Sequence, residues 1–206
     1  MATLKALLES PDKSVRLQEA LAAGTYPEPE FIDVLVSQCA SEPDFFVRDT
    51  LSWALIRNEI PKVVERLKSE LISDNIQAKS QAQHTLTKIG DKQFYSLITH
   101  EHLFDAHDKV AVTAWRAASV LVPENESSAL AKILVTQLGR GDSDVQFDLT
   151  RFLCALGDSI VQPLSEAAAT SNEAVKLHAA FTLMRFNEMK LENSKKSSPG
   201  GDSVIQ

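Results

Sequence analysis

A short pattern returns six times along this chain, and its spacing restricts the possible fold more than any other feature. An Asp or Asn stands three positions ahead of a Val or Ala in most copies, and small or branched apolar residues follow at helical intervals. The copies read DKSVRLQEALAAG, DFFVRDTLSWALI, NIQAKSQAQHTLTKIG, HDKVAVTAWRAASVL, DSDVQFDLTRFLCALG and NEAVKLHAAFTLMRF. Their anchors are Val15, Val47, Ala78, Val110, Val145 and Val175, separated by 32, 31, 32, 35 and 30 residues. A unit of that length cannot bury its own apolar face, so the period implies a solenoid in which neighbouring units cover one another.

Each anchored segment, B, follows a second amphipathic segment, A: PEPEFIDVLVSQCA, IPKVVERLKSELI, DKQFYSLITHEHLF, ENESSALAKILVTQL and DSIVQPLSEAAA. The polar joints SEP at 41–43, SD at 73–74 and GRG at 139–141 leave room only for tight turns, so A and B pack as antiparallel neighbours. Asp12, Asp44, Asn75, Asp142 and Asn172 stand where a side-chain oxygen caps the first-turn amides of a helix. His107 occupies that register in the fourth copy with Asp108 beside it, and a cap shifted by one residue is expected there. Positions 0, +4, +7, +8 and +11 from each anchor fall on one broad buried face.

TLKALLE at 3–9 reads as an incomplete A helix closing the array. After Met189 the periodicity ends and KLENSKKSSPGGDSVIQ reads as a disordered tail. The predicted organisation is therefore one array over 1–188, a partial unit followed by five hairpins, and a tail over 189–206.

The frame Asp-x-x-Val-Arg with Ala and Leu at helical spacing, clearest in DKSVR, DFFVR and NEAVK, resembles the HEAT-like repeat family, especially the short form found in phycobilin lyases. IPKVVERL with Pro61 and VQPLSEAA with Pro163 are similar to that family's proline-bearing first helix. The resemblance covers about residues 11–188. It implies an all-α, right-handed α-α superhelix of the HEAT-like or armadillo type, a curved binding scaffold with its B helices on the concave side. It says little about chemistry.

The chain's net charge of -7 argues against generic nucleic-acid binding, although a local basic groove could survive that average. No apolar run is long enough for a membrane-spanning helix, and MATLKALLES carries Glu9 and no long apolar core, unlike a secretory signal. Cys39 and Cys154 lie far apart among apolar residues with no CxxC, which fits two packed, reduced thiols in a cytoplasmic protein. No cofactor is implied.

Function is less legible. Arg16, Arg48, Lys79 and Lys176 sit one position after their anchors, facing the positive end of the helix dipole. The simpler reading, which the resemblance also implies, is a ladder in which each reaches a capping Asp of a neighbouring unit; the alternative is a ligand role. A second stripe, +3, +6 and +10, lies roughly 240° to 300° around the helix from the anchor. At +6 it carries Leu21, Trp53, His84, Arg116, Arg151 and Phe181, and at +10 Arg57, Lys88, Val120, Ala155 and Arg185. If the B helices line a concave face, Trp53, Arg57, His84, Lys88, Arg116, Arg151, Phe181 and Arg185 form a groove for an acidic or phosphorylated protein or peptide. The opposing reading makes the arginines ordinary solvated residues and has Trp53 and Phe181 cover the seams between units. Trp115, at +5, is expected to pack against the adjacent A helix.

THEHLFDAHD gathers His100, Glu101, His102, Asp105, His107 and Asp108, residue types that suit Zn or Fe. Yet His100 and His102 cannot share a helical face and no second cluster supplies further ligands, so a polar turn without metal is the simpler expectation. The main expectation is a non-catalytic interaction scaffold. The alternative is a HEAT-like enzyme: an alkylpurine DNA glycosylase using Trp53, Trp115, Asp148, Arg116 and Arg151, or a bilin lyase. The His-Glu pairs of a HEAT-like di-iron hydroxylase occur here only at His100-Glu101, and no phosphate loop, nucleophile elbow or paired-carboxylate signature is present.

Overall fold

Capped amphipathic segments with short polar joints have one economical outcome, and a computed structural model that describes residues 3–197 has it throughout: helices joined by tight turns, with no strand among the described residues. The internal contacts group the chain into two units, 1–123 and 124–206, where the periodicity alone predicts one continuous array. Both are built as all-α repeat solenoids.

The first unit opens with α1 (Leu4–Leu8), which packs on α2 (Lys13–Thr25) and α3 (Phe31–Cys39). Leu8 is fully buried there. The unit continues through α4 (Phe45–Leu55), α5 (Ile60–Leu71) and α6 (Ile76–Ile89) to α7 (His100–Leu103) and α8 (Asp108–Leu121). The B helices α2, α4, α6 and α8 stack in sequence, while α1, α3 and α5 form the A layer. The fourth A segment departs from expectation: Lys92–Leu97 is a 3-10 turn capped by Asp91, and only the four residues of α7 are α-helical. Gly90, left-handed with φ 69°, ends α6, and the extended backbone at Ile98 separates the two short pieces.

In the second unit α9 (Ser127–Val135) and α11 (Val161–Ala168) supply the A layer, and α10 (Ser143–Cys154) packs on α12 (Glu173–Ser197) in the B layer. Helix α12 runs past Met189 to Ser197, so the first part of the expected disordered tail is helical. Residues 198–206 lie outside the described residues.

The caps form as the sequence requires. Asp44 Oδ1 accepts from the amides of Phe46 and Val47 at 2.9 and 3.2 Å, and Asn75 Oδ1 from those of Gln77 and Ala78 at 2.9 and 3.1 Å. Asp12, Asp142 and Asn172 cap α2, α10 and α12 in the same way. The fourth copy differs from the shifted cap expected of it: Asp108 is the first residue of α8, His107 makes no side-chain cap, and Asp105 instead accepts the His107 amide at 2.9 Å.

The buried face is wider than the helical wheel predicts. Position +5 is buried too, in the first five copies, where it is held by Ala20, Ser52, Gln83, Trp115 and Thr150. Contacts across adjacent B helices explain it: Thr85 Oγ1 donates to Ser52 at 3.4 Å, and the Thr150 and Thr182 hydroxyls lie 3.0 Å apart. Trp115 is fully buried and its indole N–H donates to the Leu103 carbonyl of α7 at 2.9 Å, which places it against its own A segment.

Candidate functional site

The +1 cations set the local architecture. Arg16 Nη1 donates to the carbonyls of Ser10 and Pro11, while its Nε and Nη2 grip Glu42 Oε2 and Oε1 at 2.7 and 2.8 Å. Lys79 reaches Asp105 at 3.0 Å. Each acid stands two residues ahead of the cap position. The expected ladder therefore exists at these two sites but ends on that acid, while Lys13 is the residue that reaches the capping Asp44, at 3.2 Å.

The +6 and +10 residues of the first unit divide. Trp53 is half-buried over Gly24 of α2, where a methyl group in place of the glycine hydrogen would stand 2.1 Å from the indole. It covers a seam between B helices. Arg57 is exposed in the turn after α4. His84 and Lys88 both converge on Asp49, at 3.3 and 2.7 Å, and Lys88 also donates to the Asp49 carbonyl. Burial pushes the Asp49 carboxyl up, and Lys88 and His84 together bring it below the usual range. His84 is itself held below its ordinary value by burial, against the pull of Asp49 and with Lys88 and Arg116 nearby. Its neutral ring can donate Nε2–H to Asp49.

His84 and Arg116 line one cavity of about 210 Å³ between α4, α6 and α8, together with Phe45, Arg48, Asp49, Ser80, Gln81, Lys109 and Thr113. Burial and the nearby Arg48 push the Lys109 ammonium below its usual range. Three cations thus share a cleft whose acid, Asp49, is already engaged.

In the second unit Arg151 and Arg185 line one cavity of about 320 Å³ with Phe147, Asp148, Thr150, Cys154 and Met189. Arg151 pairs with Asp148 at 2.7 Å and lies 4.9 Å from the Phe152 ring centre, and Arg185 pairs with Glu188 at 2.6 Å. Phe181 meets Phe147 edge-on at 5.4 Å and lines a more apolar cavity of about 330 Å³ with Leu177 and His178.

Of the residues singled out in the sequence, the structure therefore joins His84 with Lys88 and Arg116, and Arg151 with Arg185. Trp53 and Phe181 pack on their B-helix neighbours, and Trp53 and Arg57 line neither cationic cleft. The residues of the first cleft that the stripe does not include are Phe45, Arg48, Asp49, Ser80 and Lys109, which enter from positions -2, +1, +2, +2 and -1. Their signal in the sequence is a missing acid two residues ahead of the third cap, where Ser73 takes the place held by Glu42 and Asp105 in neighbouring copies.

The histidine cluster is dispersed. His102 is buried, its Nδ1 accepts the Thr99 amide at 3.1 Å, and its Nε2 lies 2.9 Å from the Leu71 carbonyl. His100 stacks on Phe104, and His107 lies 3.2 Å from Asp105, which also binds Lys79. Among the described residues no three His, Cys, Asp or Glu side chains are grouped to hold a metal ion. Both cysteines are buried free thiols, and burial pushes the Cys39 thiol up to about 12, away from the thiolate that nucleophilic chemistry requires. No described helix is long and apolar enough to cross a membrane.

No protein-family model and no curated protein matches the chain. Among solved structures it is similar to an engineered protein at 19% identity, covering 90% of this chain and 95% of that one with a TM-score of 0.47. A second engineered protein aligns at 19% identity over 91% of this chain and all of its own, also with a TM-score of 0.47. A designed armadillo repeat protein aligns at 16% identity, covering 89% and 98% of the two chains with a TM-score of 0.46.

Proposed function

We propose that this chain is a non-catalytic interaction scaffold of the HEAT-like kind, cytoplasmic, that holds an acidic or phosphorylated protein segment against its B helices. The observation that carries the reading is the cleft between α4, α6 and α8, where Arg48, Lys109 and Arg116 gather in an acidic protein around one carboxylate already engaged by Lys88 and His84. Opposite local charge recruits and orients an acidic partner even when the molecule as a whole repels it. Arg151 and Arg185 offer the same chemistry on the second unit, and Arg57, Lys88 and His84 extend the first. Trp53 and Phe181 contribute by holding adjacent B helices in register. Buried, protonated thiols speak against covalent bilin chemistry at Cys39.

Fluorescence anisotropy with labelled acidic peptides tests this. Wild type binds them with an affinity that falls as salt rises, and the folded double variant Arg116→Glu, Arg151→Glu loses that binding. Equal binding by the two proteins refutes the reading.

A further inference from the structure

The arginine ladder has one open rung. Arg16 satisfies its guanidinium in two halves: Nη1 donates to the Ser10 and Pro11 carbonyls at 2.9 and 3.2 Å, and the Nε/Nη2 fork holds the Glu42 carboxylate. Arg48 repeats the first half on the next turn, with Nη1 donating to the Glu42 and Pro43 carbonyls at 2.9 and 2.7 Å. It lacks the second half, and its Nε is buried without a hydrogen-bond partner.

The cause is a single register position. Glu42 and Asp105 each accept the amide two residues on, that of Asp44 and His107, at 2.9 Å, and each also receives the cation of the preceding unit. Ser73 accepts the Asn75 amide in the same manner, at 3.1 Å, but brings no charge. A buried guanidinium N–H without a partner is a costly feature, and its removal by a bound oxyanion is favourable.

We propose that the cleft between α4, α6 and α8 binds a phosphate monoester on an acidic peptide, with Arg48 turning its buried Nε/Nη2 edge into the cleft to grip two phosphate oxygens and Lys109 neutralising the second charge. The site deepens the scaffold reading above and rests on it. Arg48 and Lys109 line the same cleft, and each lies close enough for Arg48 to depress the Lys109 ammonium. Arg116 adds a third cation, and Ser80 and Thr113 place hydroxyls on the walls. Asp49, the acid of the cleft, is compensated by Lys88 and His84. Such a charge balance calls for a dianion, which a phosphate group at neutral pH approaches and a carboxylate does not. Planar bidentate geometry is what the guanidinium supplies and an ammonium cannot.

The test is a peptide of alternating acidic and small residues with one central phosphoserine, its unphosphorylated twin, and inorganic phosphate alone, measured against wild type, Arg48→Lys and Ser73→Glu. The Ser73→Glu change supplies the missing acid from within. It is expected to raise the melting temperature by filling the fork and to cancel the preference for phosphate. Wild type binds the phosphopeptide roughly tenfold or more tighter than its twin, and Arg48→Lys loses most of that ratio while staying folded. Equal affinity for the two peptides, or a preference that survives Ser73→Glu, overturns the phosphate site and leaves the acidic scaffold standing. A phosphopeptide no tighter than free phosphate overturns the peptide source. Failure of both peptides to bind removes the scaffold reading and this inference together.

Discussion

Arg16 and Glu42 form a two-pronged ion pair across adjacent repeats, with Nε–Oε2 and Nη2–Oε1 distances of 2.7 and 2.8 Å and a carboxylate that is fully buried. Burial pushes the Glu42 carboxyl up, and Arg16, the Asp44 amide and Gln38 together bring it below the usual carboxylate range. Removing one partner from a buried pair strands the other charge. Arg16→Met is therefore expected to destabilise the fold by about 3–5 kcal/mol in urea unfolding, and Arg16→Met with Glu42→Leu by less than either single change. Additive losses would show that the two groups act independently.

Gly24 and Trp53 test whether the aromatic of the +6 stripe is a seam or an anchor for a partner. No side chain fits at Gly24 while the indole lies over it. Gly24→Ala is expected to cost about 1–3 kcal/mol through overpacking, despite the helix propensity that alanine adds. Combining it with Trp53→Leu should recover part of that loss. Thermal melts of the four proteins check the coupling, and a neutral Gly24→Ala would place the indole elsewhere.

The backbone plan was legible because it is written in local chemistry. Asp12, Asp44, Asn75, Asp142 and Asn172 cap where their oxygens must, and most of the anchor face is buried in the second to fifth copies, whereas Ala22 and Tyr26 of the first are exposed. Position +5 was legible only at Trp115, since a helical wheel considers one packing partner whereas a B helix inside an array is covered on both flanks. Ser52 and Thr150 are buried by the following B helix, and Ala180, on the last one, is exposed. The segment 91–104 shows a different limit. Its apolar spacing suits a helix, yet Asp91 and Thr99 cap two short turns in succession. The stripe reached only part of the cleft, Gln81, His84, Thr113 and Arg116, because the other walls include the first turns of α4 and α8, where Arg48 and Lys109 lie beside the anchors rather than along +6 and +10. Reading the position two residues ahead of each cap, acid in two copies and Ser73 in the one between them, is what exposes Arg48.

Asp49 holds Lys88 and His84 and brings the only carboxylate among the residues lining the α4–α6–α8 cleft. Asp49→Asn removes that negative charge and releases Lys88. Affinity for an acidic peptide should rise roughly fivefold, about 1 kcal/mol for one partly screened charge. Salt titration of anisotropy checks the direction. A weaker complex would mean that Lys88 must be held in place to act.

His178 makes the second unit sensitive to acid. Its Nδ1 accepts the Gly139 amide at 3.0 Å, so the ring proton lies on Nε2, 3.0 Å from the Gln146 carbonyl and 3.1 Å from Thr150 Oγ1. The Thr182 hydroxyl donates to the His178 carbonyl at 2.9 Å, leaving the Thr150 hydroxyl to donate to Thr182. A second ring proton on Nδ1 would face the Gly139 N–H. Burial holds the imidazole below its ordinary value of 6.5, although the bond to Gln146 pulls the other way. Below that value the unfolded chain takes up a proton that the folded one refuses, so stability is complete above about pH 7 and falls as the pH drops through 6 toward 5. His84, also depressed by burial, adds a loss of the same sign. Urea midpoints measured from pH 8 to pH 5 should decline for wild type. His178→Gln is expected to be less stable at pH 8 by about 1–3 kcal/mol, for the unpaired Gly139 amide, and to decline less on acidification. A variant that loses stability with acid as steeply as wild type would assign the sensitivity to other groups.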